Sequence, residues 1–286
     1  MNRIAKSVDH AERLERVLAH IRARLDDPLD LERLAEVACL SPYHFHRLYR
    51  AVLGETAAQT VRRLRLHRAA VALARSDASM EQVARQAGYG SLEAFSRAFS
   101  RAHGLPPSGY RNRGVATHSR PPSSWEHPMN DLASSVVVSR RPAVRLAGFT
   151  HVGPYEDIGA AFERLYAQAG PRGALQPGGP TFGIYYHDPD ATPAAELRSF
   201  AGFAAAPDLE PWEGLEIVEI PESETASFVH VGPYADLKFS YRMLYGRWLP
   251  TSGRTPADRP AYEEYLNDPT ALPPSEWQTR INLPLE

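Results

Sequence analysis

Two short segments of the chain carry polar side chains that can form hydrogen bonds with the edges of base pairs. In each segment the apolar residues recur at helical spacing and predict a buried stripe, which leaves the polar residues on the opposite side. An arginine there can bind guanine through two hydrogen bonds, and a glutamate can accept one from cytosine. The residues expected to face outward are Tyr43, His46, Arg47 and, nearer the phosphate backbone, Arg50 in the first segment, and Glu93, Ser96 and Arg97 in the second.

A repeat at a distance of about 50 residues must position these two segments. Residues 34–54 recur as residues 83–104, and each copy predicts a short helix, a tight turn and a second helix that begins after a serine. The turn holds Cys39 in the first copy and Gly88 in the second, where glycine suits a positive φ. This order predicts a helix-turn-helix motif that occurs twice. A helical bundle that binds no nucleic acid is the alternative interpretation.

A continuous helical pattern over residues 56–75 separates the two copies. A helix of that length spans ~30 Å, which is close to the ~34 Å between successive major-groove faces of a duplex. A monomer therefore suffices to place both second helices on one face of double-stranded DNA, and the oligomeric state stays open.

The charge of the chain differs between its two parts. Residues 1–113 carry 19 Lys/Arg and 12 Asp/Glu, a formal charge of +7, whereas residues 114–286 carry 13 Lys/Arg and 22 Asp/Glu, a formal charge of −9. This asymmetry predicts two domains with different partners, and the basic one suits nucleic acid.

The single cysteine, Cys39, excludes an intramolecular disulfide and a cysteine-based zinc site. Because the sequence has no apolar signal core and no run of ~18–20 apolar residues, we expect a cytoplasmic protein without membrane contact. Separately, we predict neither a cofactor nor a metal site.

The first region resembles the AraC/XylS family of transcriptional regulators over about residues 8–112. The matching segments are residues 41–50, residues 88–99 and the ending Gly104-Leu105-Pro106-Pro107-Ser108-Gly109-Tyr110-Arg111. The resemblance implies an all-α domain that binds a specific promoter site and reads bases with the outward residues named above. It also implies RNA polymerase as an expected partner.

The second region carries a different pattern and a second duplication. Residues 114–134 are rich in Pro and Ser and predict a linker, and beyond them short apolar segments predict strands. The segment His151-Val152-Gly153-Pro154-Tyr155 recurs 79 residues later as His230-Val231-Gly232-Pro233-Tyr234. A strand, a corner and a helix thus occur twice, which predicts two similar α+β halves about a pseudo-twofold axis with a cleft between them. The two equivalent histidines predict a repeated structural hydrogen bond, and a metal pair is the alternative.

These corners, with residues 181–189 and 262–269, resemble the GyrI-like effector-binding domain over about residues 135–285. The resemblance implies a sensor of small, often cationic and lipophilic molecules, and Glu263 matches the pocket glutamate of the family. Such a cation needs a buried carboxylate and aromatic faces, because ion pairing and cation–π contacts are strongest when water is excluded. The aromatic residues that could line the pocket are Tyr155, Tyr186, Tyr234, Trp248 and Tyr265. Core packing is the alternative for each aromatic, and Glu264 is the alternative to Glu263 because the faces of a strand alternate.

The sequence therefore predicts a one-component transcriptional regulator without catalytic residues. Residues 1–113 form an all-α domain with two helix-turn-helix motifs, residues 114–134 a linker, and residues 135–286 a duplicated α+β domain that senses a small-molecule effector. One alternative is a hydrolase-like second domain with Glu263 as general base near Tyr155 or Tyr234. Another is a second domain that serves only as an interaction surface. The operator, the effector and the choice between activation and repression stay open.

Overall fold

The computed structural model describes residues 10–113, 135–175, 179–189, 192–269 and 271–286, and it divides into two compact units. The helical unit contains residues 12–39 and 53–113. The sheet unit contains residues 10–11, residues 40–52 and the described residues from 135 onward. The predicted linker, residues 114–134, lies outside the described residues, and the predicted domain boundaries at 113 and 135 stay a prediction.

Seven helices follow one another over residues 10–113, as the helical pattern predicts. They are α1 (His10–Ala23), α2 (Leu31–Ala38), α3 (Pro42–Leu53), α4 (Ala57–Arg75), α5 (Met80–Gln86), α6 (Leu92–His103) and α7 (Pro107–Arg113). The two predicted helix-turn-helix segments correspond to α2 with α3 and to α5 with α6. In the part of the chain that the structure describes, no helix combines the length and the apolar character needed to cross a bilayer.

Local hydrogen bonds fix the ends and turns of these helices. The Ser91 hydroxyl accepts a hydrogen bond from the Ala94 N–H at 3.2 Å at the start of α6, which confirms the predicted cap. Both predicted turns contain a residue in the left-handed region, Gly88 with φ 82° and Cys39 with φ 53°. Glycine adopts this conformation freely, whereas a residue with a Cβ loses roughly 1–2 kcal/mol there. The first turn is therefore the less favourable of the two, as the sequence predicts.

The core of the helical unit lies between α4, α5, α6 and α7. Leu66, Leu73 and Val83 pack with Phe95 and Phe99, whose rings are fully buried. Phe95 and Phe99 are the residues that the helical spacing assigns to the core of α6, and this prediction is confirmed. The same spacing suggests Leu92 as a core residue, but its side chain is exposed at the first position of the helix.

The sheet unit is built on one antiparallel sheet of eight strands among its described residues. The strands are β1 (Val137–Arg141), β2 (Val144–Val152), β3 (Thr181–Tyr185), β4 (Arg198–Ala204), β5 (Glu216–Ile220), β6 (Ser223–Val231), β7 (Tyr262–Tyr265) and β8 (Gln278–Pro284). Their order across the sheet is β1-β6-β8-β7-β3-β4-β2-β5. This sheet, with the helices that pack on it, confirms the predicted α+β class.

The strand order shows the duplication directly. β3 and β7 pair at the centre, where Gly183 lies opposite Glu263. The first half contains β1 to β4 and the second half contains β5 to β8. The first strand of each half pairs with a strand of the other half, because β1 pairs with β6 and β5 pairs with β2. The predicted pseudo-twofold axis therefore passes between β3 and β7, so that residues of these two strands approach the same central region from both halves.

Helices cover the sheet unit at equivalent places in its two halves. They are α8 (Gly159–Ala169), α9 (Leu237–Met243) and α10 (Leu249–Ser252), and α9 joins α10 through a π-helical segment, Leu244–Trp248. The corners before α8 and α9 turn at Gly153 and Gly232, which have φ values of 132° and 139°. This region of backbone conformation is open essentially to glycine alone.

The repeated histidines hold these corners. His151 Nε2 donates to the Pro154 carbonyl at 3.0 Å, and His230 Nε2 donates to the Pro233 carbonyl at 3.3 Å. The ring of His230 also bonds through Nδ1 to the Ser240 hydroxyl of α9 at 3.0 Å. The predicted repeated structural hydrogen bond is confirmed.

Helix α3 packs into the core of the sheet unit. Leu48 of α3 is fully buried in a cluster with Tyr241, Leu244 and Tyr245 from the helical layer and Ile281 from β8. The sequence assigns Phe45, Leu48 and Tyr49 to the apolar stripe of this helix, and all three side chains are buried.

Candidate functional site

A cavity of about 950 Å³ opens in the sheet unit beside the paired central strands. Its charged lining includes Glu263 from β7, Asp188 after β3, and Arg47 from α3. Arg50, Glu156, Lys238 and Arg242 are charged lining residues as well, and seven tyrosines form the largest group of one residue type in the wall: Tyr155, Tyr166, Tyr185, Tyr234, Tyr241, Tyr245 and Tyr265. Aromatic rings around a carboxylate form a low-dielectric site in which electrostatic contacts are stronger than in water.

Glu263 is the buried carboxylate of this cavity, with only 3% of its surface exposed. The Tyr241 hydroxyl donates to its Oε1 at 3.0 Å, and the Tyr265 hydroxyl donates to its Oε2 at 2.8 Å. Because the Tyr265 proton is used in this way, the Tyr185 hydroxyl must donate in turn to the Tyr265 oxygen, 2.7 Å away. Three hydroxyls thus orient the carboxylate, those of Tyr241 and Tyr265 directly and that of Tyr185 through Tyr265.

Burial raises the pKa of Glu263 from 4.5 to about 7, although the two tyrosine hydroxyls and the charge of Arg47 act in the opposite direction. Burial also raises the pKa of Tyr241 and of Tyr265 well above the usual value of 10. Both hydroxyls therefore stay protonated near neutral pH and remain donors. The carboxyl group, by contrast, can change its charge in this range, and a nearby cation would favour its ionised form.

Glu264 points to the opposite face of β7. Its carboxylate pairs with Arg141 at 2.9 Å and with Arg280 at 2.6 Å. Of the two carboxylates that strand alternation leaves as candidates, Glu263 is therefore the one that lines the cavity.

The predicted aromatic residues divide between the cavity and the core. Tyr155, Tyr234 and Tyr265 line the cavity. Tyr186 instead packs against the cluster that contains Phe182 and Phe200, and Trp248 packs against the cluster around Leu249. Tyr186 and Trp248 therefore do not line this cavity, and the core-packing alternative describes their contacts.

Four further tyrosines in the cavity were missed: Tyr166, Tyr185, Tyr241 and Tyr245. Tyr185 ends β3 and Tyr186 follows it, and since neighbouring side chains of an extended chain point to opposite faces, selecting one of them excludes the other. A shift of 80 residues aligns Tyr185 with Tyr265, so the duplication offered a signal for it. Tyr241 and Tyr245 are four residues apart, a helical spacing that places both on one face. That face could not be distinguished from an ordinary core face in the sequence.

The polar side chains of α3 do not face outward as the isolated helix predicts. His46 is buried, and its Nδ1 lies 2.9 Å from Asp188 Oδ2. Arg47 and Arg50 are half-buried and line the cavity. Tyr43 is half-buried, with the guanidinium of Arg47 4.8 Å from its ring centre. The outward orientation of these four residues is corrected by the structure, and their role in reading bases stays a prediction.

The outward residues of α6 lie as predicted by helical geometry. Glu93 and Arg97 are exposed and approach each other to 3.9 Å, and Ser96 is half-buried beside them. An exposed pair of this kind contributes little to stability, so both side chains are available for other partners. Their role in reading bases also stays a prediction.

The fold and the cavity define a helix-turn-helix protein with a small-molecule-binding domain, and comparison with known proteins agrees. A GyrI-like small molecule binding domain matches residues 135–286, and a helix-turn-helix domain matches residues 34–113. A DNA gyrase inhibitor of Erwinia billingiae is 31% identical over 156 residues, which cover 53% of this chain and 97% of the relative.

Two regulators match the other end of the chain. The regulatory protein SoxS of Escherichia coli is 31% identical over 106 residues, 37% of this chain and 99% of the relative. The MmsAB operon regulatory protein of Pseudomonas aeruginosa is 40% identical over 100 residues, 35% of this chain, which span about a third of the relative (33%). The chain belongs to the GyrI-like family and carries an AraC-type helix-turn-helix domain, so it is an AraC-type DNA-binding regulator with a small-molecule-binding domain.

Proposed function

We propose that the cavity around Glu263 binds a small organic cation, and that this cation controls how the chain binds a promoter site. The observation that supports this most directly is the buried carboxylate of Glu263 among tyrosine rings. A lipophilic cation that enters such a site exchanges water for an ion pair and for the negative faces of the rings. A neutral molecule of the same shape would gain only the apolar contacts.

The same geometry favours binding over catalysis. Both carboxylate oxygens of Glu263 accept hydrogen bonds from tyrosine hydroxyls, and these bonds compete with the proton transfer from water that a general base must accept. We therefore place no reaction in this cavity.

On the DNA side, the proposed base contacts are those of Glu93, Ser96 and Arg97 on α6 and of Tyr43, His46, Arg47 and Arg50 on α3. The exposure of Glu93 and Arg97 supports the first group. One chain carries both helices, so a monomer would suffice. The AraC-type domain also supports action in the cytoplasm with RNA polymerase as a partner, while the sign of the regulation is left open.

Calorimetric titration with benzamidinium and with neutral benzamide tests the cation site. The two probes share a planar shape and differ in charge. Benzamidinium should bind the full chain and benzamide should not, and Glu263→Gln should weaken benzamidinium by at least about 30-fold, the equivalent of the ~2 kcal/mol lost when one partner of a buried charge pair is removed. Glu219→Gln, which removes an exposed carboxylate, is the matched control. Equal binding of both probes, or full binding by Glu263→Gln, would contradict the proposal.

A further inference from the structure

The first DNA-reading helix predicted from the sequence is part of the wall of the cavity. Leu48 anchors α3 in the core of the sheet unit, while Arg47, Arg50 and Ala51 line the cavity itself. The side chains that the sequence assigns to base contacts on α3 are thus occupied by contacts within the sheet unit. They cannot make these contacts and contact bases at the same time.

Buried polar contacts hold α3 in this position. His44 Nε2 lies 2.8 Å from the Ala257 carbonyl and 2.9 Å from the Arg259 carbonyl, so it must carry the proton and donate. Its Nδ1 then accepts from the Tyr245 hydroxyl at 2.9 Å. Burial lowers the pKa of His44 to about 4, which keeps the ring neutral as this arrangement requires.

The guanidinium group of Arg47 lies against tyrosine rings that line the proposed cation site. It lies 4.3 Å from the ring centre of Tyr241 and 5.9 Å from that of Tyr245. Tyr241 is also a hydrogen-bond donor to Glu263. The Nε of Arg47 is shielded from solvent and has no hydrogen-bond partner among the described residues. The guanidinium is therefore held mainly by rings and by the nearby negative charges, as a bound organic cation would be.

The fit of α3 depends on a glycine in the π-helical segment. A Cβ on Gly246 would lie 2.8 Å from the Ala51 carbonyl oxygen and 3.0 Å from the Ala51 Cβ. Real Cβ atoms do not approach a backbone oxygen so closely, so a side chain at 246 would force α3 and the segment Leu244–Trp248 to shift relative to each other. The helix and the segment Leu244–Trp248 pack in contact only because residue 246 has no side chain.

We propose that Arg47 is the internal occupant of the cation site and that a cationic effector displaces it, which frees α3 for DNA. This inference rests on the proposed cation site and adds what fills that site in the absence of effector. Two like charges in one low-dielectric cavity repel each other more strongly than in water. Effector binding and the docked state of α3 therefore oppose each other. By linkage, the effector and DNA then favour each other by the same factor, roughly 5–150-fold for a coupling of ordinary size.

The first test measures benzamidinium affinity in Arg47→Met. Methionine keeps an apolar side chain of similar length and removes the charge. Removal of the competing cation should raise benzamidinium affinity by roughly 5–150-fold, while neutral benzamide should still show no binding. Unchanged or weaker benzamidinium binding by Arg47→Met overturns the displacement of Arg47, even if the wild type binds the probe through Glu263.

The second test measures DNA affinity and leaves Arg47 in place. Gly246→Ala should displace α3 and therefore raise the DNA affinity of the full chain. The DNA is a duplex that the wild-type chain has selected from random sequences, and fluorescence anisotropy measures the affinity. Saturating benzamidinium should raise the affinity of the wild type in the same way and should add little to Gly246→Ala. Gly109→Ala is the matched control, since Gly109 does not line the cavity and a Cβ there meets its nearest atom, in the Pro106 ring, at the ordinary contact distance of 3.5 Å.

The outcomes separate the two proposals. If benzamidinium binds neither the wild type nor Arg47→Met, the cation site itself is wrong, and this inference fails with it. If benzamidinium binds through Glu263 but Gly246→Ala has the DNA affinity of the wild type, the cation site stands and the release of α3 is overturned. If Gly246→Ala does not fold, the response of wild-type DNA affinity to benzamidinium decides, and no response overturns the inference.

Discussion

Replacement of Glu263 by glutamine should change how the stability of the sheet unit depends on pH. The carboxyl group is 3% exposed, and burial raises its pKa from 4.5 to about 7 in the folded protein. A group that holds its proton more tightly in the folded state makes that state most stable below the unfolded pKa. Its contribution is lost as the pH rises from 4.5 through about 7, and it is constant above that range.

The size of this loss follows from the pKa change. Each pKa unit corresponds to roughly 1.4 kcal/mol, so the free energy of unfolding should fall by about 3 kcal/mol across the interval. His44 acts in the opposite direction, because burial lowers its pKa from 6.5 to about 4 and its contribution is lost as the pH falls. The pH profile of the wild type alone would therefore conceal both effects.

The difference between the wild type and Glu263→Gln isolates the carboxyl group. Glutamine has a similar volume and retains one oxygen for a tyrosine hydroxyl, and the contribution of His44 cancels in the difference. The wild type should lose up to about 3 kcal/mol relative to the variant between pH 5 and pH 8. Urea denaturation followed by tryptophan fluorescence measures it, because Trp212, Trp248 and Trp277 all lie in the sheet unit. A difference that is constant with pH, or that grows in favour of the wild type, would refute the reasoning.

Three other predictions concern single contacts. Gly183→Ala should weaken benzamidinium binding, since a Cβ there would lie 2.8 Å from the Tyr265 hydroxyl that orients Glu263; unchanged affinity in calorimetry would show that this hydroxyl chain is not needed. Ser91→Ala should cost about 1 kcal/mol of stability by removing the cap of α6, measured by urea denaturation and circular dichroism with Ser100→Ala as the control. Arg97→Ala should cost roughly 1–3 kcal/mol on a selected duplex and relax one base position; an equal loss on random duplex would argue against a base contact.

Much of the helical unit could be predicted because its signals are local. The cap at Ser91, the positive φ of Gly88 and Cys39, and the burial of Phe95 and Phe99 each depend on residues within a few positions along the chain. The duplication of the sheet unit was also visible, because the His-Val-Gly-Pro-Tyr corner needs glycine at a positive φ in both copies. Local geometry repeats wherever the same residues repeat.

The candidate site was predicted less completely, because strand alternation gives two faces without saying which is covered. Glu263 and Glu264 were both possible, and Tyr186 was chosen where Tyr185 lies in the cavity. The choice depends on the neighbours of β7: Arg141 and Arg280 pair with Glu264 on one face, while Tyr241 bonds to Glu263 on the other. These partners lie between 16 and 123 residues away along the chain.

The sequence by itself determined the two kinds of element, the two duplications and the presence of one glutamate with aromatic residues, since periodicity and turn chemistry act over short stretches of chain. Only the tertiary structure decided what covers the polar side of α3. Arg47 satisfies every local requirement of an exposed DNA contact, yet its guanidinium lies on Tyr241, 194 residues further along the chain. A helix encodes which of its faces are apolar, but the partner of a polar face is set by long-range packing.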